Sequence, residues 1–449
     1  MSAVRDTIAR LGRDVAHEVV VNVLAALAVG AMAFVLLDGR VDGLYVRARG
    51  AAPVSDQVAV VSLDEETFYL WNPYDPSPET TPRALLAETV RFLSAAGAKV
   101  IVLDLLTDQP APGDDALVAA VQAHGRVVAA ERFSPQRADG VAPFAAASVL
   151  SDVALPAYAN LGLEERTLFS GEMIVRDVPL VAAVARARLS GPFPVGLVGA
   201  FQDDDAPTPA VAFAAAWMQI TGLPPADLPV AIGARCGGVP VQCSAGGSAF
   251  GLPATPGPLH EPLSLNFRGP EGGDHIPAVS GARVLRSLGE SALAATLGMN
   301  LPITVPDDLA ALLRGRVVVV GRVDAQAGDQ FVTPYAWPAM QGADMSGPRV
   351  HAQLIDTLLS GRHMRRVEGG WAWAGAATLG LTVLLTGRRA GALHLVGWLG
   401  VTAATVAGGI AAFNLFDGLV FDIAPAVALM SCTLTAVHLY ARAAQPDAG

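Results

Sequence analysis

Residues 57–63 read QVAVVSL, and residues 81–104 read TPRALLAETVRFLSAAGAKVIVLD. The first stretch is a short β-branched run closed by Asp64, Glu65 and Glu66. In the second, Thr81-Pro82-Arg83 opens a helix whose apolar positions Leu85, Leu86, Val90 and Leu93 recur at roughly 3.6-residue spacing. Gly97 ends that helix, and VIVL at 100–103 forms a second strand closed by Asp104. Residues 115–123 read as another helix and 126–130 as a third strand. Strand, helix, strand, helix, strand, with unbroken apolar strands, predicts a parallel sheet covered on both faces.

Outward from this core the pattern loosens. Gly- and Pro-rich connections fill much of 143–258, with a strand expected over 173–179 and a helix over 211–220, VAFAAAWMQI. Beyond it, LSLNFR at 263–268 and VVVV at 317–320 read as strands, and 349–359 as a last helix. The expectation is one α/β domain with an elaborated centre, two subdomains being the alternative.

The chain is unusually apolar for such a domain. Hydrophobic residues make up 52% of its 449 positions and charged residues 16%, where soluble domains carry about a quarter charged residues. Hydropathy places the excess in four segments: 19–37, 370–386, 393–413 and 421–440. Each is close to the ~20 residues that a helix needs to cross a bilayer. The first is followed directly by Asp38-Gly39-Arg40 and exceeds a signal-peptide h-region, so it reads as an uncleaved anchor. Arg5, Arg10 and Arg13 before the first span, Arg388 and Arg389 between the second and third, and Arg442 after the fourth mark the cytoplasmic side. Arg362, Arg365 and Arg366 stand on the opposite side, and large translocated domains tolerate such charges. The organisation expected is a cytoplasmic N-terminus over 1–18, an extracytoplasmic α/β domain over 41–366, four transmembrane helices and a short cytoplasmic tail over 441–449. Small residues at Gly400, Ala404, Gly408 and Ala412 form a stripe suited to close helix packing.

The formal charge of −11 argues against nucleic acid, whose binders present basic patches. Lys99 is the only lysine. Cys236 and Cys243 flank a Gly-rich turn and could close a small disulfide in an oxidising compartment; two free thiols are the alternative. No second Cys/His pair stands nearby for zinc.

With these features in view, VAVVSLDEETF, TPRALLAETVRFLSAAGAKVIVLDLL and DDALVAAV resemble the start of CHASE2 sensor domains. LNFRGPEG, LLRGRVVVVGRVDAQAGDQFVTPY and GPRVHAQLIDTLLSGRHMRR are similar to that family's closing segments. The resemblance implies one N-terminal span, an extracytoplasmic α/β sensor and three further spans. Members usually continue into a kinase or cyclase. This sequence stops about nine residues after its last span, which leads to the expectation that a separate effector protein supplies the output.

Asp64 and Asp104 each close a predicted parallel strand. Ligands of open α/β sheets bind beyond the carboxyl ends of strands, so these acids could share one crevice with Asp329 and Arg83. Converging carboxylates could hold a hard cation or recognise a cationic group; the alternative is that they cap helices or pair with Arg83. Tyr335 and Trp337 could line a pocket or pack a loop, and His351 reads as a core or interface histidine. No G-x-S-x-G elbow, H-E-x-x-H helix, phosphate loop or kinase signature is present. Neither catalysis nor a cofactor is therefore expected. The reading is a sensory module in the cell's inner membrane, its soluble domain periplasmic or extracellular. Its partners would be the lipid bilayer, an effector protein and, in a homo-oligomer, its own copies. The alternatives are an envelope docking protein and a tethered extracytoplasmic enzyme.

Overall fold

The computed structural model describes residues 41–50, 52–133, 145–146, 148–161, 163–165, 173–175, 177–185, 205–222, 262–289, 302–324, 327–335, 345–367, 403, 406–416 and 418–421. These fall into two compact units, the larger spanning 50–165 and 172–363.

The larger unit is built on a parallel sheet. Its strands are β1 (Val58–Leu63), β2 (Val100–Asp104), β3 (Val127–Phe133), β4 (Ala145–Ala146) and β5 (Leu155–Tyr158). Five short strands follow: β6 (Leu163–Glu165), β7 (Met173–Val175), β8 (Asp177–Pro179), β9 (Val181–Ala185) and β10 (Asp205–Pro209). β11 (Pro262–Ser264), β12 (Ala278–Ser280) and β13 (Val317–Arg322) come after them in the chain. Six strands pair in the order β12-β1-β13-β2-β3-β5, all parallel, and β4 runs antiparallel to the end of β3. β1 and β2, joined through the Arg83–Ala96 helix, leave a slot that β13 fills from more than two hundred residues later; Val317 stands between Val58 and Val100.

Side-chain alternation explains why β1, β2 and β13 read as continuous apolar runs. Ala59, Val61, Leu63, Ile101, Leu103, Val318 and Val320 share one core with Leu85, Leu86, Val90, Phe92 and Leu93 of the Arg83–Ala96 helix, and with Leu117 and Val121 of the Asp114–His124 helix. The intervening residues, Val58, Val60, Val100, Val102, Val317 and Val319, are equally buried on the face that carries the Val211–Thr221 and Gly347–Ser360 helices. A strand buried on both sides has no solvent face on which to place polar residues. Val211 to Met218 are all buried, as befits a helix that is apolar all round. Gly97, at φ 79°, closes the Arg83–Ala96 helix with its N–H on Leu93 and Ser94, a left-handed cap that glycine adopts without strain.

Boundaries differ from expectation chiefly at 263–268. Only Pro262–Ser264 is strand. The backbone beyond it bonds side chains instead of a neighbouring strand: the Arg268 N–H donates to Gln353 Oε1 at 2.8 Å, and Gln353 Nε2 donates to the Gly269 carbonyl at 3.0 Å.

The smaller unit comprises 1–49, 166–171 and 364–449. In its described part the Val41–Arg49 helix stacks Tyr45 on Phe413, centroids 5.5 Å apart. Arg365–Val367 pairs in parallel with Leu419–Phe421. A Cβ on Gly409 would overlap the Tyr45 hydroxyl, whereas one on Gly408 would meet no described atom within 4 Å. The close approach therefore falls one residue away from the stripe read in the sequence. No helix of the described residues is long and apolar enough to cross a membrane. Segments 19–37 and 370–386 lie wholly outside those residues, as do most of 393–413 and all but the first residue of 421–440; so do Cys236, Cys243 and Trp337.

Candidate ligand-binding site

A cavity of about 570 Å³ opens beyond the carboxyl ends of the central strands. Asp104 ends β2, Arg322 ends β13, Ala130 belongs to β3 and Ala159 follows β5. The loop carrying Gly328, Asp329 and Phe331, the stretch Glu79 to Thr81, Asp108, and His351 of the Gly347–Ser360 helix complete its wall. This is where an open parallel sheet leaves a crevice, because successive connections depart to opposite faces.

Two glycines set the geometry. Gly321 pairs with Asp104 across the sheet, and a Cβ there would overlap Pro348. Its bare backbone lets the first turn of the Gly347–Ser360 helix lie against the strand ends, which brings His351 Nε2 to 3.7 Å from Asp104 Oδ1. Gly347 likewise leaves room for the Asp329 carboxylate and donates its N–H to the Asp329 carbonyl at 2.9 Å. A carboxylate against a helix N-terminus is favoured by the helix dipole. Glu271 secures the same end, accepting from the Ser346 N–H and hydroxyl at 3.0 Å each.

Burial dominates the electrostatics. It raises Asp104 from 3.8 to about 7. It also raises Asp329 to about 6, with repulsion from Asp104 adding to the shift and His351 opposing it. His351 is lowered to about 4, first by burial, with Asp329 and the Ala159 backbone acting the other way. Near neutral pH the imidazole is therefore uncharged, and 3.7 Å is beyond hydrogen-bond reach. The Asp104 side chain is 6% exposed, and its Oδ2 has no hydrogen-bond partner.

Of the four residues read as one crevice, the structure brings Asp104 and Asp329 to the cavity wall and places Asp64 and Arg83 elsewhere. Asp64 is the N-cap of the Glu65–Trp71 helix: its Oδ1 accepts from the Thr67 N–H at 2.8 Å and the Thr67 hydroxyl at 2.5 Å, and its Oδ2 from Ser280 at 2.8 Å. Arg83 pairs with Asp114 at 3.0 Å and donates to the Gln109 carbonyl at 3.1 Å. Local polar partners thus claim both. Asp64→Ala should cost about 1 kcal/mol, the usual value of a cap, seen as a lower unfolding midpoint with the cavity's ligand response unchanged; a loss of ligand response would place Asp64 in the site. Tyr335 donates to the Phe267 carbonyl at 3.3 Å and packs edge-on against that ring; it holds a loop.

Glu79, Asp108, Arg322 and His351 line the cavity without having been singled out as site residues in the sequence. Arg322 is fully engaged, with two bonds to Asp324 at 2.8 and 2.5 Å, one to the Pro78 carbonyl at 2.8 Å, and its guanidinium 4.8 Å over the Phe68 ring. His351 sits among apolar helix positions, and no local pattern separates it from a core histidine.

An open parallel sheet with a polar cavity beyond its strand ends has the layout in which α/β domains bind small ligands. A family model described as the CHASE2 domain matches residues 19–388, and the chain belongs to that family of extracytoplasmic sensory domains. No curated protein and no solved structure matches the chain.

Proposed function

We propose that the chain is a multi-pass sensor of the inner membrane. Spans at 19–37, 370–386, 393–413 and 421–440 would hold a periplasmic or extracellular domain whose ligand state is relayed to an effector protein, with no catalysis of its own. The observation that carries this reading is a single helix joining the cavity to both ends of the domain. The Gly347–Ser360 helix presents His351 to the cavity. Five residues further on, about 7.5 Å along the axis, Asp356 accepts from the Ser55 hydroxyl at 2.5 Å and pairs with Arg268 at 3.4 Å.

The stretch 265–271 runs alongside this helix and fastens the chain where it enters and leaves the domain. The Ala52 N–H donates to the Arg268 carbonyl at 2.8 Å, and Asn266 Nδ2 donates to the Arg362 carbonyl at 2.7 Å. Gln353, wholly buried, bonds Arg268, Gly269 and His275. A ligand that favours one position of the helix would shift these fastenings together. It can do so only through differential affinity for the two positions.

The test is affinity purification of the tagged full chain from detergent-extracted membranes, with mass spectrometry of what accompanies it. Recovery of a kinase, cyclase or comparable effector in stoichiometric amount is expected. Recovery of the chain alone, or only with envelope components, would remove the relay from the reading.

A further inference from the structure

We propose that the cavity receives a small organic cation, an amine with at least one N–H donor, seated on Asp104 and Asp329. The inference rests on the sensory reading for its consequence and on the cavity alone for its chemistry.

The first observation is the unpartnered Asp104 Oδ2, buried in the cavity wall. An ionised carboxylate only accepts hydrogen bonds, and a buried acceptor left unmade is costly. The protein's own cations do not answer it. Arg322, the arginine in the wall, spends its guanidinium on Asp324, Pro78 and the face of Phe68. His351 stands 3.7 Å away. The wall thus presents Glu79, Asp104, Asp108 and Asp329 with no uncommitted basic side chain among its described residues.

Charge fixes the sign of the ligand, since an anion entering this wall would meet like charges. The remaining wall fixes its kind. Leu105, Leu106, Leu161 and Phe331 supply apolar surface beside the acids, suited to a hydrocarbon body behind an ammonium head. The volume of about 570 Å³ lies within the range of small-molecule sites. A metal ion fits less well, because the described residues include no group of three His, Cys, Asp or Glu placed to hold one. Binding would also draw a proton off Asp104, whose burial otherwise favours its neutral form near pH 7.

The experiment is calorimetric titration of the purified full chain at pH 6.5 with 1,4-diaminobutane, ethanolamine and methylammonium chlorides. Butanol, succinate and magnesium chloride are titrated in parallel. At least one amine should bind saturably, at least tenfold more weakly to Asp104→Asn and to Asp329→Asn, with a heat that varies with the buffer's ionisation enthalpy as a released proton requires. Two independent variants keep the test decisive if one folds poorly. No saturable binding by any of the amines overturns the proposal. So does binding indifferent to both substitutions, or tighter Asp104-dependent binding of magnesium or succinate. Amine binding without an associated effector keeps this inference and removes the relay; an effector recovered from a chain indifferent to amines does the reverse.

Discussion

Asp104→Asn should make the chain more stable than wild type at pH 8 and leave it nearly unchanged at pH 4. The carboxyl is raised from 3.8 to about 7 by burial, so the folded state holds its proton more tightly than the unfolded chain does. Below about pH 4 both states are protonated and the group costs nothing. From there to about 7 the unfolded chain gains by releasing its proton while the folded chain keeps it, and folding stability falls as pH rises. The rise from 3.8 to about 7 amounts to roughly 4 kcal/mol at most. Asp329, raised to about 6, acts in the same direction over a narrower window. His351, lowered to about 4, acts oppositely between 4 and 6.5, where the unfolded chain binds a proton that the folded chain refuses. The Asp104 contribution is isolated by subtracting variant from wild type. Urea unfolding of both at pH 4, 6 and 8 should show a gap that opens with pH. A gap of constant size would mean that Asp104 titrates alike in the folded and the unfolded chain.

The second large effect is expected at the opposite end of the Gly347–Ser360 helix. Asp356→Ala removes the acceptor of the Ser55 hydroxyl and leaves the Arg268 guanidinium, 7% exposed, without its carboxylate. Breaking one side of a buried ion pair costs about 3–5 kcal/mol, because the surviving charge stays desolvated and loses an opposite charge. For a domain of this size that corresponds to a fall of about 5–8 °C in Tm. Asp356→Asn, which keeps an acceptor for Ser55, should lose less. If the alanine variant melts within about 1 °C of wild type, Arg268 finds other partners at little cost, and the helix is not fastened there. Under the relay reading, Asp356→Ala should also weaken the dependence of effector state on ligand while leaving the cavity able to bind.

Between these two residues lies the difference between what pattern and packing can reveal. Asp104 was legible as a candidate because a carboxylate at the end of an apolar run is a local feature, and parallel strands put their ligands at that end. Asp64 stands in the same local pattern after β1. Its carboxylate is nonetheless taken by Thr67 and Ser280, the second of which lies 216 positions away in sequence. Asp356 and His351 carry no local sign of what they bind: each is one polar residue among several on a largely apolar helix.

The sequence by itself determined the three strands and the Arg83–Ala96 and Asp114–His124 helices between Val58 and Phe133, the VVVV run of β13 as a strand, and the apolar excess concentrated in four segments. These follow from periodicity and composition, which are properties of short stretches. Tertiary structure alone decided that β13 inserts between β1 and β2, that Gly321 and Gly347 admit Pro348 and Asp329, and that Asp104 is left without a donor. Such outcomes depend on which distant side chains reach a buried group first. Partners in a packed interior are chosen by proximity in space, a quantity that the spacing of residues along a chain does not contain.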